Sequence, residues 1–221
     1  METAIRVWHI PLSVTATPEA WNLLDAKERT KAERFVRDVD RNRYVGAHAG
    51  MRRILAAEAS CRPTDLHFAV AAKGKPFLVG SALRFNLSHS GDHAVLAISA
   101  GADVGIDVET TAPNADRITH LVLSDRELGA YRRLAPSERE TAFLRVWTRK
   151  EALLKAIGCG LLRDPRSVTV DVGEQVADGS AAVELDGTIW HLRDFAIAPD
   201  TSGCLAANSP IPPISILSID V

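Results

Sequence analysis

The 221-residue sequence contains no apolar run of about 18 residues, the length a membrane-crossing helix needs. Its amino terminus, METAIRVWHI, also lacks the basic start and long apolar stretch of a secretory leader. A soluble, unexported protein with no membrane partner is therefore expected. Cysteine is scarce and odd in number. Cys61, Cys159 and Cys204 have neither C-x-x-C nor metal-ligand spacing, so a disulfide framework is excluded and free thiols in a reducing, cytoplasmic compartment are expected. An excess of one charge is missing too: 26 Lys and Arg stand against 28 Asp and Glu. A formal net charge of -2 excludes a strongly basic nucleic-acid binder, and any anion site must be local. There is no G-x-x-x-x-G-K-[ST] loop and no G-x-G-x-x-G, so neither a P-loop nor a Rossmann enzyme is supported. Short-period repeats and low-complexity tracts are likewise absent. What remains, 46% hydrophobic and 24% charged, is ordinary globular material with enough chain for one large core or two small ones.

The most informative stretch is FLRVWTRKEALLKAIGCGL, residues 143 to 161. Ser137 and Glu140 after Pro136 give a capping box, and Gly158 and Gly160 give a stop, so the pattern predicts one helix over 138–157. Phe143, Leu144, Trp147, Leu154 and Ile157 recur at helical spacing as an inward stripe, and Glu151 lies on it. A carboxylate taken out of water costs several kcal/mol unless it is paired or binds a metal. Lys155, four residues on, is a candidate partner; a functional role for Glu151 is the alternative.

Upstream, Ala4 to Ile10 reads as a buried strand and Thr17-Pro18 as a helix start, followed by helical runs over 27–36 and 41–59. The second run carries Tyr44, His48, Met51 and Leu55 on one side. Lys27, Arg29, Lys31, Arg34, Arg37, Arg41 and Arg43 crowd this region, either as a solvated face or as a cradle for phosphates. Short strands are expected over 66–70, 77–79 and 83–87. The polar cluster Asn86, Ser88, His89 and Ser90 then precedes a further strand, either as structural residues or as an anion nest. Strands over 94–99 and 104–109 would form a hairpin through AGAD. In VGIDVE, Val104, Ile106 and Val108 face one way and Gly105, Asp107 and Glu109 the other. Two carboxylates roughly 7 Å apart along a strand repel unless a cation lies between them, so they read as half of a metal site or as a solvent-exposed edge. A loop is expected over 111–119, then a helix capped by Ser124 and Glu127, which by itself explains Glu127. Strand-like pieces over 167–172, 181–185, 188–198 and 204–207 predict a second sheet, with 214–221 as a terminal strand packed back on the body.

Asp107, Glu109 and Glu151 together offer only oxygen ligands, which suits Mg2+ or Mn2+ and not zinc; with basic residues nearby, chemistry at phosphorus is implied. The ordered motifs GKP at 74–76, FNLSHS at 85–90, GIDVE at 105–109 and WTRKEALLKAIGCGL at 147–161 closely resemble the 4′-phosphopantetheinyl transferases of the long, surfactin-synthetase-activating type. The match spans roughly residues 26 to 161. It implies an α+β fold of two similar α/β halves related by a pseudo-twofold: 1–103 as the coenzyme A nucleotide cradle, and 104–221 with the metal site and the carrier-protein docking face. Coenzyme A would lie in the cleft between them. The resemblance further implies transfer of phosphopantetheine from coenzyme A to a serine of an apo acyl or peptidyl carrier protein, by a monomer of secondary metabolism. Asp107, Glu109 and Glu151 would hold Mg2+, Glu151 or a water would take the serine proton, and Lys155 would bind a pyrophosphate oxygen. Ser88 and His89 would meet phosphates, Lys75 and Pro76 the adenine end, and Lys31 and Arg43 further phosphates of the coenzyme, with Glu127 near the site. One departure is Glu28, which stands where relatives often carry a basic residue. Two other classes compete: a Mg2+-dependent phosphodiesterase acting on the coenzyme A pyrophosphate, and a non-enzymatic carrier- or coenzyme-binding module.

Overall fold

Strand alternation and helix caps account for most elements in the computed structural model, which describes residues 4–110, 115–173 and 179–219. The first part of the chain forms β1 (Ile5–Pro11), α1 (Pro18–Leu23), α2 (Ala26–Ala32), α3 (Asp38–Glu58), β2 (Phe68–Val70), β3 (Pro76–Leu78), β4 (Arg84–Ser90) and β5 (His93–Ser99). The second forms β6 (Val104–Glu109), α4 (Ala115–Val122), α5 (Asp125–Tyr131), α6 (Pro136–Ile157), β7 (Ser180–Leu185), β8 (Thr188–Phe195), β9 (Ser202–Ala207) and β10 (Ile216–Ser218). Among the described residues no helix is long and apolar enough to cross a membrane.

The architecture is α+β, with one four-stranded sheet built mainly from each half of the chain: β10-β1-β5-β4 and β6-β9-β8-β7. β2 and β3 form a separate small hairpin. The last strand crosses back. β10 lies parallel to β1, with Val7 opposite Ile216, so a boundary at 103/104 leaves one strand of the first sheet outside the first half.

Helix starts follow local chemistry. Thr17 Oγ1 accepts the Ala20 N–H at 3.1 Å and Pro18 opens α1, while Asp25 and Glu28 form a reciprocal capping box on α2. α3 packs Ala47, Met51, Ile54 and Leu55 with Ile10, Phe85, Leu96 and Ile98 of the first sheet. α6 packs Phe143, Val146, Leu153 and Leu154 with Leu192, Cys204 and Ala206 of the second. A third cluster joins the halves, setting Val7, Val95 and Ala97 of the first sheet with Val104, Ile106, Val108 and Leu205 of the second. Each such buried aliphatic side chain contributes about 1.5–3 kcal/mol. The opposite face of β6 lies so close to α6 that a Cβ on Gly105 would sit 2.1 Å from the Ala152 carbonyl oxygen and 2.3 Å from the Ala156 nitrogen.

Several boundaries differ from the sequence reading. β5 and β6 are not a hairpin: β5 pairs with β1 and β4, and β6 pairs with β9. The turn between them is held by Ser99 Oγ on the Ala102 N–H and Asn208 Oδ1 on the Asp103 N–H, and so becomes a crossing between sheets. α6 starts two residues early, because Pro136 takes the first helical position and Glu138, not Glu140, accepts the N–H of the cap residue Ala135. Residues 115–119, expected in a loop, belong to α4; positions 111–114 of that loop lie outside the described residues. Residues 167–172 alternate in burial like a strand yet join no ladder, since the Val170 N–H goes to Glu127 Oε1. The inward face of α6 is also wider than one stripe. Arg149 and Lys150 are fully buried in ion pairs with Asp194 and Glu127, whereas Trp147 and Ile157 are only half-buried.

Candidate active site

The two-residue period of β6 sends Asp107 and Glu109 to the face that α6 covers, where Glu151 meets them. Asp107 is 2% exposed. Its Oδ1 accepts from Ser88 Oγ at 2.8 Å and Lys155 Nζ at 2.5 Å, while its Oδ2 is buried without a partner. Glu109 accepts from Ser90 Oγ at 2.8 Å and from the Trp147 indole N–H at 3.3 Å. Glu151 Oε1 is likewise buried without a partner. Burial pushes all three carboxyl groups above their ordinary range. Asp107 adds to the rise at Glu109, and both add to the rise at Glu151, against the pull of Lys155. Lys155 thus pairs with Asp107 across 48 residues, not with Glu151 one turn away.

This donor set fits a hard divalent cation. Among the described residues no three His, Cys, Asp or Glu side chains stand in finished ligand geometry. Yet the two orphaned carboxylate oxygens on facing elements leave buried negative charge that hydrogen bonds do not satisfy, and oxygen donors of this kind select Mg2+ or Mn2+.

The polar cluster of β4 is a seam rather than a nest. Its backbone is in the ladder with β5, and the side chains of Asn86, Ser88 and Ser90, two residues apart on one face, bond to the Ile106 N–H, Asp107 and Glu109 of β6. His89, between them, points the other way and lies exposed at the wall of a 370 Å3 cavity. Desolvation, followed by the charges of His48, Lys155, Lys31 and Arg43, lowers its pKa, so these cations converge on one region. The basic run divides accordingly. Lys27 and Lys31 line the cavity, with Lys31 5.1 Å from the Tyr44 ring, whereas Arg37 and Arg41 pair locally with Asp40 and Asp38. Arg43 holds Asp92 at 2.7 and 3.0 Å.

Pro76 lines the cavity, but the Lys75 ammonium does not point into open space. It donates to the Val104 and Ala156 carbonyls, both at 2.8 Å, and burial brings its pKa down to about 8. Glu127 stands apart from the three acids. Only 1% exposed, it accepts from the Ser124 N–H at 2.7 Å, Lys150 Nζ at 2.5 Å and the Val170 N–H at 2.7 Å. Asn86, Ser90, Trp147 and Lys150 were not singled out individually as site residues by the sequence patterns. For Asn86 and Ser90 a signal was present, their two-residue spacing around Ser88.

Comparison with known proteins agrees with this geometry. Residues 103–198 match the model of the 4′-phosphopantetheinyl transferase superfamily, and residues 13–101 match that of the N-terminal part of a 4′-phosphopantetheinyl transferase. The 4′-phosphopantetheinyl transferase HetI of Nostoc sp. is 31% identical over 167 residues, covering 72% of this chain and 70% of that protein. Sfp of Bacillus subtilis, a transferase of the same name, is 24% identical over 203 residues, covering 90% and 89%. With slr0495 of Synechocystis sp. the identity is 29% over 161 residues, and the chain spans 65% of that relative's length. Two matched segments that together cover both sheets and all three acids, and relatives that align across most of the chain, place this enzyme in the 4′-phosphopantetheinyl transferase superfamily, in its two-part, Sfp-like form.

Proposed function

We propose that the enzyme transfers the 4′-phosphopantetheine of coenzyme A to a serine hydroxyl of an apo acyl or peptidyl carrier protein, with Mg2+ or Mn2+, releasing 3′,5′-ADP. The observation that supports this best is the pair of buried, unpartnered oxygens, Asp107 Oδ2 on β6 and Glu151 Oε1 on α6, on either side of Glu109. In this reading the pyrophosphate lies between the acids and Lys155, in a cleft between two halves related by a pseudo-twofold, with residues 1–103 as nucleotide cradle and 104–221 toward the carrier.

Asp107, Glu109 and Glu151 would hold the cation, which when bound neutralises non-bridging oxygens of the pyrophosphate. Glu151, its carboxyl raised by burial and by the two neighbouring acids, takes the serine proton directly or through one water. The serine Oγ forms its bond to the β-phosphorus, the bond to the bridging oxygen breaks, and that electron pair leaves with 3′,5′-ADP. Lys155 exchanges Asp107 for a pyrophosphate oxygen, and Ser88 and His89 donate to phosphates. Lys31 and Arg43 supply further charge. Lys75 and Pro76 wall the adenine end; with the Lys75 ammonium engaged by two carbonyls, its contribution there is backbone and aliphatic stem. Glu127 acts through Lys150, which precedes Glu151 on α6.

Intact-protein mass spectrometry of apo carriers incubated with coenzyme A and Mg2+ tests this. A carrier gaining the mass of phosphopantetheine, with EDTA abolishing the gain, is the expected result. Undiminished transfer in EDTA, with no metal carried over, would remove the cation from the scheme. Release of 3′,5′-ADP without any gain on a carrier would make the enzyme a phosphodiesterase.

A further inference from the structure

The cavity beside His89 contains a second, independent arrangement. Glu28, the acid at a position where a base was expected, is buried and fixed on three sides. Its Oε2 accepts the Asp25 N–H at 2.9 Å and Arg52 Nε at 2.6 Å, and its Oε1 faces His48 Nδ1 at 2.9 Å. Arg52 is itself 1% exposed and anchored to Asp25 Oδ2 and to the carbonyls of Pro63 and Leu66, so Glu28 has no room to turn away. The His48 ring lies against Tyr44, with centroids 4.1 Å apart. Nε2 is therefore the ring nitrogen left for the cavity, which His48 lines together with Lys31 and His89.

We infer that His48, oriented by Glu28, is a ligand for the 3′-phosphate of coenzyme A and makes the choice between coenzyme A and 3′-dephospho-coenzyme A depend on pH. The inference rests on the coenzyme reading above, and the chemistry is that of tautomers. Burial pushes the Glu28 carboxyl up, but the His48 bond, the Asp25 amide and the charge of Arg52 outweigh it and hold it below the ordinary range. A carboxylate only accepts, so His48 Nδ1 must carry hydrogen in both of its protonation states. As an imidazolium, His48 also offers Nε2–H to a phosphate. Once neutral, it keeps its proton on Nδ1, and Nε2 turns from donor to lone pair facing the anion. The groups around the ring are Asp25, Glu28, Lys27 and Lys31 on α2, Tyr44 and Arg52 on α3, and His89 on β4. Asp25 and Glu28 are committed to Arg52, so the side open to the cavity is the cationic one. Phe68, Pro76 and Phe85 form an apolar wall suited to a nucleobase. Ser88 and His89, successive on β4 and on opposite faces, divide the pyrophosphate end from this one, and the 3′-phosphate is the coenzyme's remaining phosphate.

Calorimetric titration of the full chain with coenzyme A and with 3′-dephospho-coenzyme A, at pH 6 and pH 8.5, tests it. The wild type should prefer coenzyme A, and less so at the higher pH. In His48→Gln the preference at pH 6 should fall about tenfold or more, the size of a charge-assisted hydrogen bond, leaving only the pH dependence of the phosphate's own ionisation. Glu28→Gln frees the tautomer, because an amide accepts or donates, so the loss of preference at pH 8.5 should shrink. An unchanged preference at pH 6 in a His48→Gln protein with native circular dichroism overturns the ligand assignment. Wild-type pH dependence in Glu28→Gln overturns the orienting role. Failure of both nucleotides to bind the wild type would instead overturn the coenzyme reading itself.

Discussion

At the scale of single residues, the site sets Glu151 apart from Asp107. Asp107 has one oxygen held by Ser88 and Lys155, so Asp107→Asn should lose activity that high Mg2+ partly restores. Glu151→Gln keeps an oxygen and its size but loses basicity, and should cost about 10²–10⁴-fold in kcat that added metal does not restore. Steady-state rates across a Mg2+ series distinguish the two, and equal rescue would make Glu151 a ligand only. The same carboxyl groups carry a stability consequence. Because burial raises their pKa values, the folded state binds more protons than the unfolded one between the ordinary and the raised values. Their contribution is therefore most favourable at low pH and is lost as pH rises through that window. In EDTA at pH 7, Glu151→Gln should raise Tm by about 2–4 °C for each kcal/mol of relief, measured by thermal denaturation; a lower Tm would contradict the account. The inward carboxylate was legible, since a charge on an apolar helical stripe needs a reason. Its neighbours were not: the i,i+4 rule offered Lys155 to Glu151, but the ammonium found a more buried acid on a strand 48 residues away.

At the scale of elements, the contact between β6 and α6 fixes the distance between the acids, and Gly105 permits it. Gly105→Ala would drive a methyl group into the Ala152 carbonyl and the Ala156 backbone, so α6 must shift or the contact must open. A loss of about 3–5 kcal/mol in urea denaturation is expected, with transfer activity lost even where the protein remains folded. Near-wild-type stability and activity would show that α6 moves freely on β6. The alternation of VGIDVE and the caps at Thr17 and Ser124 could be read from sequence because they are local. The start of α6 was misjudged because proline at the first helical position competes with a nearby S-x-x-E pattern. The missing hairpin was misjudged for a different reason: AGAD looks like a turn, and only the partners of the flanking strands reveal that it passes from one sheet to another. Buried Lys150 and Arg149 were illegible on the same grounds, since their acids lie 23 and 45 residues away.

At the scale of the whole molecule, the two halves share a core and a polar seam and should not unfold separately. Trp8 and Trp21 report on the first half and Trp147 and Trp190 on the second, so fluorescence of variants retaining one pair should coincide with far-UV circular dichroism in urea. Separated midpoints would mean that the cluster of Val7, Val95, Ile106 and Val108 does not couple the halves. The pairing of β10 with β1 bears on how the protein is made. β1, β4 and β5 are complete once about 100 residues have been synthesised, but Ile216, the partner of Val7, emerges about 120 residues later. At roughly 5–20 residues per second, the nascent chain carries an open strand edge for about 6–24 s. During that interval any other extended segment can dock beside β1, so the final residues act as a late-arriving guard against misassembly on the ribosome.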